Sequence, residues 1–314
     1  MEHNPSLSDL LCPEREYIVR EVEDAGNFIN LPNFIDDEHV QMLVQREISF
    51  GLKNEDSLVL SNQIKCARLN AISWIVRNRE IFGFRFQTAY LSITYFDRFL
   101  SKRSIDGEKK WAIHLLSAAC LSLAAKMEEL KVPLLPEFQI QEYSFESKVI
   151  QRMELLVLNA LEWRMSSITP FAFLHYFIGK MFPESPPHHI LPTTVHFVMA
   201  IIREINLTEH RPSVVAAAAT LAALDQRLTR KALECKINSF SSCGFLEIED
   251  VVSCYNLMQK LQMEKLDSSK LINSPEQSPS RIRPVNVLDN SSCSSGTKRK
   301  RLDFNNNDDQ KRLP

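Results

Sequence analysis

Two stretches of this chain are built almost wholly from small and apolar residues at helical length, and they constrain the fold more than any other feature. The first is Leu115-Leu116-Ser117-Ala118-Ala119-Cys120-Leu121-Ser122-Leu123-Ala124-Ala125. The second, Val214-Val215-Ala216-Ala217-Ala218-Ala219-Thr220-Leu221-Ala222-Ala223-Leu224, lies about one hundred residues further on, at an equivalent place in its half of the chain. A helix without a polar face has to be surrounded by other helices. Alanine and serine let neighbouring backbones come close, so each stretch suits a central axle with four helices around it. The repeat predicts an all-α fold of two tandem five-helix domains; a single irregular helical domain is the alternative. No alternating apolar run supports a sheet.

The flanking patterns fill in these domains. From Asn62 to about Arg79, Ala67, Ala71, Ile72, Trp74, Ile75 and Val76 fall largely on one face. Phe86 to Leu100 is an aromatic-rich second helix, Asp106-Gly107 a turn, and Glu108 to Met127 the first axle. Pro133 and Pro136 stop any continuation. Ser144 can cap a helix through Phe145 to Asn159, in which Val149, Met153 and Leu156 line a face. Thr169-Pro170 opens the second half, since proline costs nothing where the amide has no intrahelical partner. Helices follow over Pro170 to Phe182, about Leu191 to Ile205, from Pro212, near Lys231 to Ile237, and over about Ile248 to Leu266. The predicted domains are 61–165 and 166–267.

The two ends differ in charge and composition. Residues 1–60 hold 13 acids against 4 basic groups and are broken by Pro5, Pro13, Gly26, Pro32 and Gly51. They read as a flexible acidic head with short helices, one near Asp37 to Ser49. Residues 268–314 hold 9 basic groups against 5 acids, with nine serines, four prolines and Phe304 as the one aromatic residue. Such a segment cannot bury enough surface to offset its ordering entropy, and it is expected to be disordered. The formal net charge of -2 supplies no global field for nucleic acid or membrane. Seven cysteines without a CxxC pair point to a reducing compartment. No run approaches the roughly 18 apolar residues of a spanning helix, and Met1 to Pro5 does not begin a signal peptide.

Motifs of catalysis are missing. The sequence has no GxGxxG, GxxxxGK, HExxH or GxSxG, and its glycines number only seven. The His188-His189 pair reads as a loop feature, because adjacent helical side chains diverge and no Cys or acid cluster stands beside it. A site assembled from distant residues is not removed by these absences, but no cofactor or metal is implied. Charges inside apolar patterns are more informative. Asp97 and Arg98 interrupt an aromatic run, and burying either requires a partner. Asp97 is expected to tie helices together through a salt bridge or amide contact rather than to touch a ligand. Lys126 and Glu154 each suit a solvated charge or a fixed contact to another protein's backbone.

These residues carry a resemblance. Tyr95-Phe96-Asp97-Arg98-Phe99-Leu100-Ser101, then Leu121-Ser122-Leu123-Ala124-Ala125-Lys126-Met127-Glu128-Glu129, then Met153-Glu154-Leu155-Leu156-Val157-Leu158 with Leu161 and Trp163, resemble the first cyclin box in order and spacing. Arg211 to Ala219 resembles the matching part of the second box. The likeness spans about residues 60–262 and is greatest to the plant D-type cyclins, whose fold is two five-helix domains. It implies a regulatory subunit, not an enzyme, that binds and activates a cyclin-dependent kinase through Lys126 and Glu154. The kinase's regulatory helix would be held in its active position, so that its internal Lys-Glu pair forms. The resemblance also implies a groove on the first box helix, matched by Arg68 and Trp74, that docks substrates or kinase-inhibitor proteins. Ala67 and Arg77 depart from the family pattern there, and Arg77 would repel the arginine of the usual docking peptide. Trp74 also suits the core.

The ends fit the same family. Leu10-Leu11-Cys12-Pro13-Glu14 matches the Leu-x-Cys-x-Glu motif with which D-type cyclins bind retinoblastoma-related pocket proteins. In an extended chain, Leu10 and Cys12 face one side and can enter pockets while Glu14 reaches amide donors; Pro13 favours an extended Cys12. In the tail, Ser274-Pro275 and Ser278-Pro279 are candidate phosphorylation sites. The run Lys298-Arg299-Lys300-Arg301 is a candidate nuclear-import signal, with a solubilising charge run as its rival. The expected role is kinase activation directed at retinoblastoma-related protein at the G1/S transition, in the nucleus and also in the cytoplasm. The rival role is a non-catalytic cyclin-box adaptor of the transcription machinery.

Overall fold

The change of pattern at Asn62 marks the start of a repeated helical unit. The structure is a computed structural model and describes residues 37–50, 62–103, 105, 107–138, 143–204, 210–240 and 244–272. Helix α1 (Asp37–Phe50) comes first. The first half then contains α2 (Asn62–Phe82), α3 (Phe86–Lys102), α4 (Lys110–Glu128), a one-turn 3-10 helix (Leu135–Phe138) and α5 (Ser147–Ala160). The second half contains α6 (Phe171–Met181), α7 (Ile190–Ile201), α8 (Pro212–Leu224), α9 (Arg230–Phe240) and α10 (Ile248–Ile272). Each half thus has five helical elements, and the described residues include no strand. The chain before Asp37 and the tail beyond Ile272 lie outside the described residues, and so do the expectations made for them, but α10 runs to Ile272, past the predicted end near Leu266 and into the stretch from Ser268 expected to be disordered.

The two small-residue stretches are α4 and α8. Every residue from Leu115 to Ala125, and every residue from Ser213 to Ala223, is buried. Polar groups within them turn back on their own helix, which lets them sit in an apolar interior: Ser117 Oγ donates to the Ile113 carbonyl at 2.8 Å and Thr220 Oγ1 to the Ala216 carbonyl at 2.7 Å. Helix α4 is surrounded by α2, α3, α5 and the 3-10 helix, the axle arrangement expected of it. Helix α8 packs most closely against α6 and α7. One apolar cluster lies wholly in the first half, around Tyr95, Phe96, Leu116 and Val157. The other is continuous across the halves, joining Ile75 and Ile93 to Phe173, Phe197 and Val214.

Several boundaries differ from those read in the sequence. Pro133 and Pro136 break the α-helix as expected, yet the chain closes a single 3-10 turn there that seats Phe138 in the core. Helix α5 starts at Ser147, not at Phe145, because Glu146 is still extended (φ -61°, ψ 143°) and its carbonyl takes the first amide, from Val149, at 2.8 Å. Thr169 receives the Ala172 amide on its main-chain carbonyl at 3.1 Å and supplies no side-chain cap. Helix α2 runs one turn past Arg79 and stops where Gly83 takes φ +67°, with Phe84 N–H reaching the Arg79 carbonyl at 3.0 Å. The same motif ends α5 without a glycine. Glu162 and Trp163 sit at φ 55° and 60°, and Trp163 N–H reaches the Leu158 carbonyl at 2.9 Å.

Helix α1 is built into the second half, although it precedes the first in sequence. Val40, Leu43 and Val44 join the cluster that contains Phe173 and Phe177. The Tyr176 hydroxyl donates to Asp37 Oδ1 at 2.9 Å and Lys180 Nζ pairs with the same oxygen at 3.0 Å. At the other end Glu47, which is buried, accepts from Ser213 N–H at 2.9 Å and from Ser213 Oγ at 2.5 Å. It thereby caps the N-terminus of α8, where a carboxylate is favoured by the unpaired amides and the helix dipole. The chain between the halves is held from α3: Tyr95 Oη donates to the Met165 carbonyl at 2.7 Å, and Arg98 Nη1 to the Arg164 carbonyl and Ser167 Oγ, both at 2.8 Å. Arg164 Nη2 in turn donates to the Ser49 carbonyl of α1 at 2.9 Å.

Candidate functional site

Lys126 stands in the last turn of α4, where a cation suits the exposed carbonyls. Glu154 lies on the face of α5 that carries Ile150 and Val157 into the core. Because α4 and α5 pack side by side, the two side chains meet: Lys126 Nζ lies 2.6 Å from Glu154 Oε1. The pair is lopsided. The Glu154 side chain is 9% exposed and that of Lys126 is 43% exposed. The buried carboxylate therefore fixes the ammonium, and an ammonium with three donors can give the remaining ones to a partner's carbonyls. Met127 and Leu155, next to these two residues, are exposed, and Leu130 in the connector after α4 is 98% exposed, with Leu134 beyond it also exposed. A fixed charge pair flanked by uncovered apolar side chains has the chemistry of a protein-docking face.

The two groove residues fall in different settings. The Arg68 side chain, 3% exposed, turns inward and grips Asp97 of α3 with two bonds, Nε to Oδ1 at 2.8 Å and Nη2 to Oδ2 at 2.7 Å. This is the helix-tying role expected of Asp97. Burial pulls the guanidinium pKa down, but the Asp97 charge and its hydrogen bonds more than offset that, so Arg68 is held above its ordinary range. Trp74 is half-buried, its ring edge-on to that of His114 with centroids 6.1 Å apart. His114 in turn meets Tyr143 at 5.1 Å. Arg77 is exposed, one turn beyond Trp74 on α2.

Leu10, Cys12, Glu14, Ser274, Ser278 and Lys298 to Arg301 lie outside the described residues. Among the described residues, no group of three or more His, Cys, Asp or Glu could hold a metal ion, and no helix is long and apolar enough to cross a membrane. Three features that bear on the docking face were not read from the sequence. They are the Glu47 cap on α8, the α3 clamp on the inter-box chain, and the use of Glu128 and Glu129. The last had a signal, because two adjacent acids ending an apolar helix need cations or amide donors near them.

A family profile described as the cyclin N-terminal domain matches residues 38–166, and one described as the cyclin C-terminal domain matches residues 168–283. The chain belongs to the cyclin family and has two cyclin-box domains. Among its relatives is Cyclin-D5-1 of Arabidopsis thaliana, 38% identical over 98% of this chain and 96% of that one. Cyclin-D3-1 of the same plant is 36% identical, over 82% of this chain and 69% of its own length. Cyclin-D5-1 of Oryza sativa subsp. japonica is 43% identical over 61% of this chain and 54% of its own. The chain is thus closely related to plant D-type cyclins. The X-ray structure of a viral cyclin from herpesvirus saimiri shares the fold, with a TM-score of 0.58 at 16% identity, covering 72% of this chain and 96% of that one.

Proposed function

We propose that this chain is a D-type cyclin of the plant kind, a non-catalytic regulatory subunit that binds and activates a cyclin-dependent protein kinase and directs it to retinoblastoma-related protein at the G1/S transition. The observation that carries the reading is the Lys126–Glu154 pair, fixed at 2.6 Å between two helices and flanked by exposed Met127, Leu130 and Leu155. In this mechanism the apolar side chains receive the kinase's regulatory helix and the ammonium binds backbone carbonyls beside it. The cyclin binds the active conformer more tightly than the inactive one. Activation can be no larger than that difference in affinity. Leu10, Cys12 and Glu14 would bring the pocket protein as substrate, and Lys298, Arg299, Lys300 and Arg301 would bring the complex to the nucleus, while Ser274 and Ser278 take phosphate. The docking groove would present Trp74, with Arg68 supporting its helix from within through Asp97.

The test is a reconstituted kinase assay. Purified chain should raise phosphate transfer by a plant cyclin-dependent kinase, and Lys126→Ala with Glu154→Lys should abolish that rise while the helical signal stays intact. Full activation by the folded double variant would refute the assigned contact.

A further inference from the structure

The docking face proposed above hangs on the C-terminal end of α4, and helix ends are where helices fray. No glycine cap closes this one: Glu129 is extended (φ -100°, ψ 143°) and the chain leaves directly into the exposed Leu130. What secures the end is a contact to another helix. Arg85 is the N-cap residue of α3, still extended, and its own side chain provides no cap. Glu129 Oε1 reaches this end of α3 from outside, accepting from Arg85 N–H at 2.9 Å and from Thr88 Oγ1 at 2.5 Å, with Arg85 Nε 3.7 Å from its other oxygen. Glu128 Oε2 accepts from Gln87 Nε2 at 2.6 Å and lies 3.8 Å from Arg85 Nη2. Two adjacent carboxylates at the end of α4 are thus seated on the N-terminal turn of α3, where unpaired amides and the helix dipole favour negative charge.

We infer that Glu129 is a positioning residue for partner binding. By clamping the end of α4 to the start of α3, it holds Lys126 against Glu154 and fixes where the chain from Met127 to Leu134 emerges. It does this without touching the partner. The inference rests on the kinase-binding reading and adds to it a residue that acts through Lys126. Fixing a side chain before association removes an ordering cost from the binding step.

The experiment is a titration of the full chain and its variants with a cyclin-dependent kinase. Glu129→Leu should weaken binding on the order of tenfold. Glu129→Gln should restore most of it, because an amide oxygen can accept the same two hydrogen bonds. A readout that a purely structural role would leave unmoved is the cycle with Lys126→Ala. If Glu129 works through Lys126, the Lys126→Ala loss should shrink when Glu129 is already leucine. Multiplying losses, or wild-type affinity in Glu129→Leu, would overturn the inference. Should Glu129→Leu not fold, Thr88→Val removes one of the same bonds from the α3 side and enters the same cycle. Absence of wild-type binding in that titration would sink the kinase reading itself, and the inference with it.

Discussion

Replacing Asp97 by alanine separates two roles for Arg68. If Arg68 is an internal strut, the loss of Asp97 leaves a guanidinium that is 3% exposed without the carboxylate that grips it. Breaking a buried pair from one side costs about 3–5 kcal/mol. Asp97 is itself 16% exposed, so Arg68→Met leaves a carboxylate that keeps some water and should cost less, about 2–3 kcal/mol. Replacing both, as Arg68→Met with Asp97→Leu, removes both desolvated charges at once and should fall within about 1–2 kcal/mol of the parent. In thermal unfolding the Asp97→Ala variant should melt roughly 10 °C lower, at about 2–4 °C per kcal/mol for a unit of this size. A cost below about 1 kcal/mol for Asp97→Ala, or losses that simply add, would mean that the pair does not tie α2 to α3.

Other outcomes follow from single sites. Burial lifts the Glu47 carboxyl above its ordinary 4.5, against the pull of the Ser213 hydrogen bonds and the Arg211 charge. The folded state therefore holds that proton longer than the unfolded one, so this group's contribution to stability declines as pH rises from about 4.5 through the folded value and is level above it. Glu47→Gln should remove that slope from unfolding free energies measured across the window, and an unchanged slope would assign it elsewhere. Glu162→Gly should stabilise the chain by about 0.5–1 kcal/mol in urea unfolding, since a left-handed residue ending α5 is strained as glutamate and relaxed as glycine. Glu14→Lys should abolish binding of a retinoblastoma-type pocket in a direct titration, where unchanged affinity would make the motif accidental. Alanine at Lys298 to Arg301 should reduce nuclear accumulation of a tagged chain, and an unaltered distribution would refute the import signal.

The helices were legible where burial left no choice. A stretch such as Val214 to Leu224 has only one solution, to be enclosed by other helices, and it takes that solution in α8. Asp97 was legible for a related reason, because an acid in an aromatic run needs a cation and the chain supplies Arg68. What was not legible depended on contacts between residues far apart in sequence. Periodicity shows that α1 is amphipathic but not which half covers it; Asp37 and Glu47 find their partners at Tyr176 and Ser213. Nor does a pattern of apolar residues foretell that a proline-interrupted segment will close a 3-10 turn to seat Phe138. The candidate pair was legible only as two residues. That Glu154 is buried and Lys126 half-exposed follows from how α4 crosses α5, which one sequence does not specify.

The docking of α1 has a consequence for how the chain is made. Its anchoring bonds join residues 139 and 166 positions apart, Asp37 to Tyr176 and Glu47 to Ser213. At about 5–20 residues per second of synthesis, α1 leaves the ribosome several seconds to half a minute before its seat exists. The first box can close around α4 during that interval, since its contacts are comparatively local. The first of the described helices to be made is thus among the last of them to settle, and until it does the apolar edge of Val40, Leu43 and Val44 stays open to chaperones.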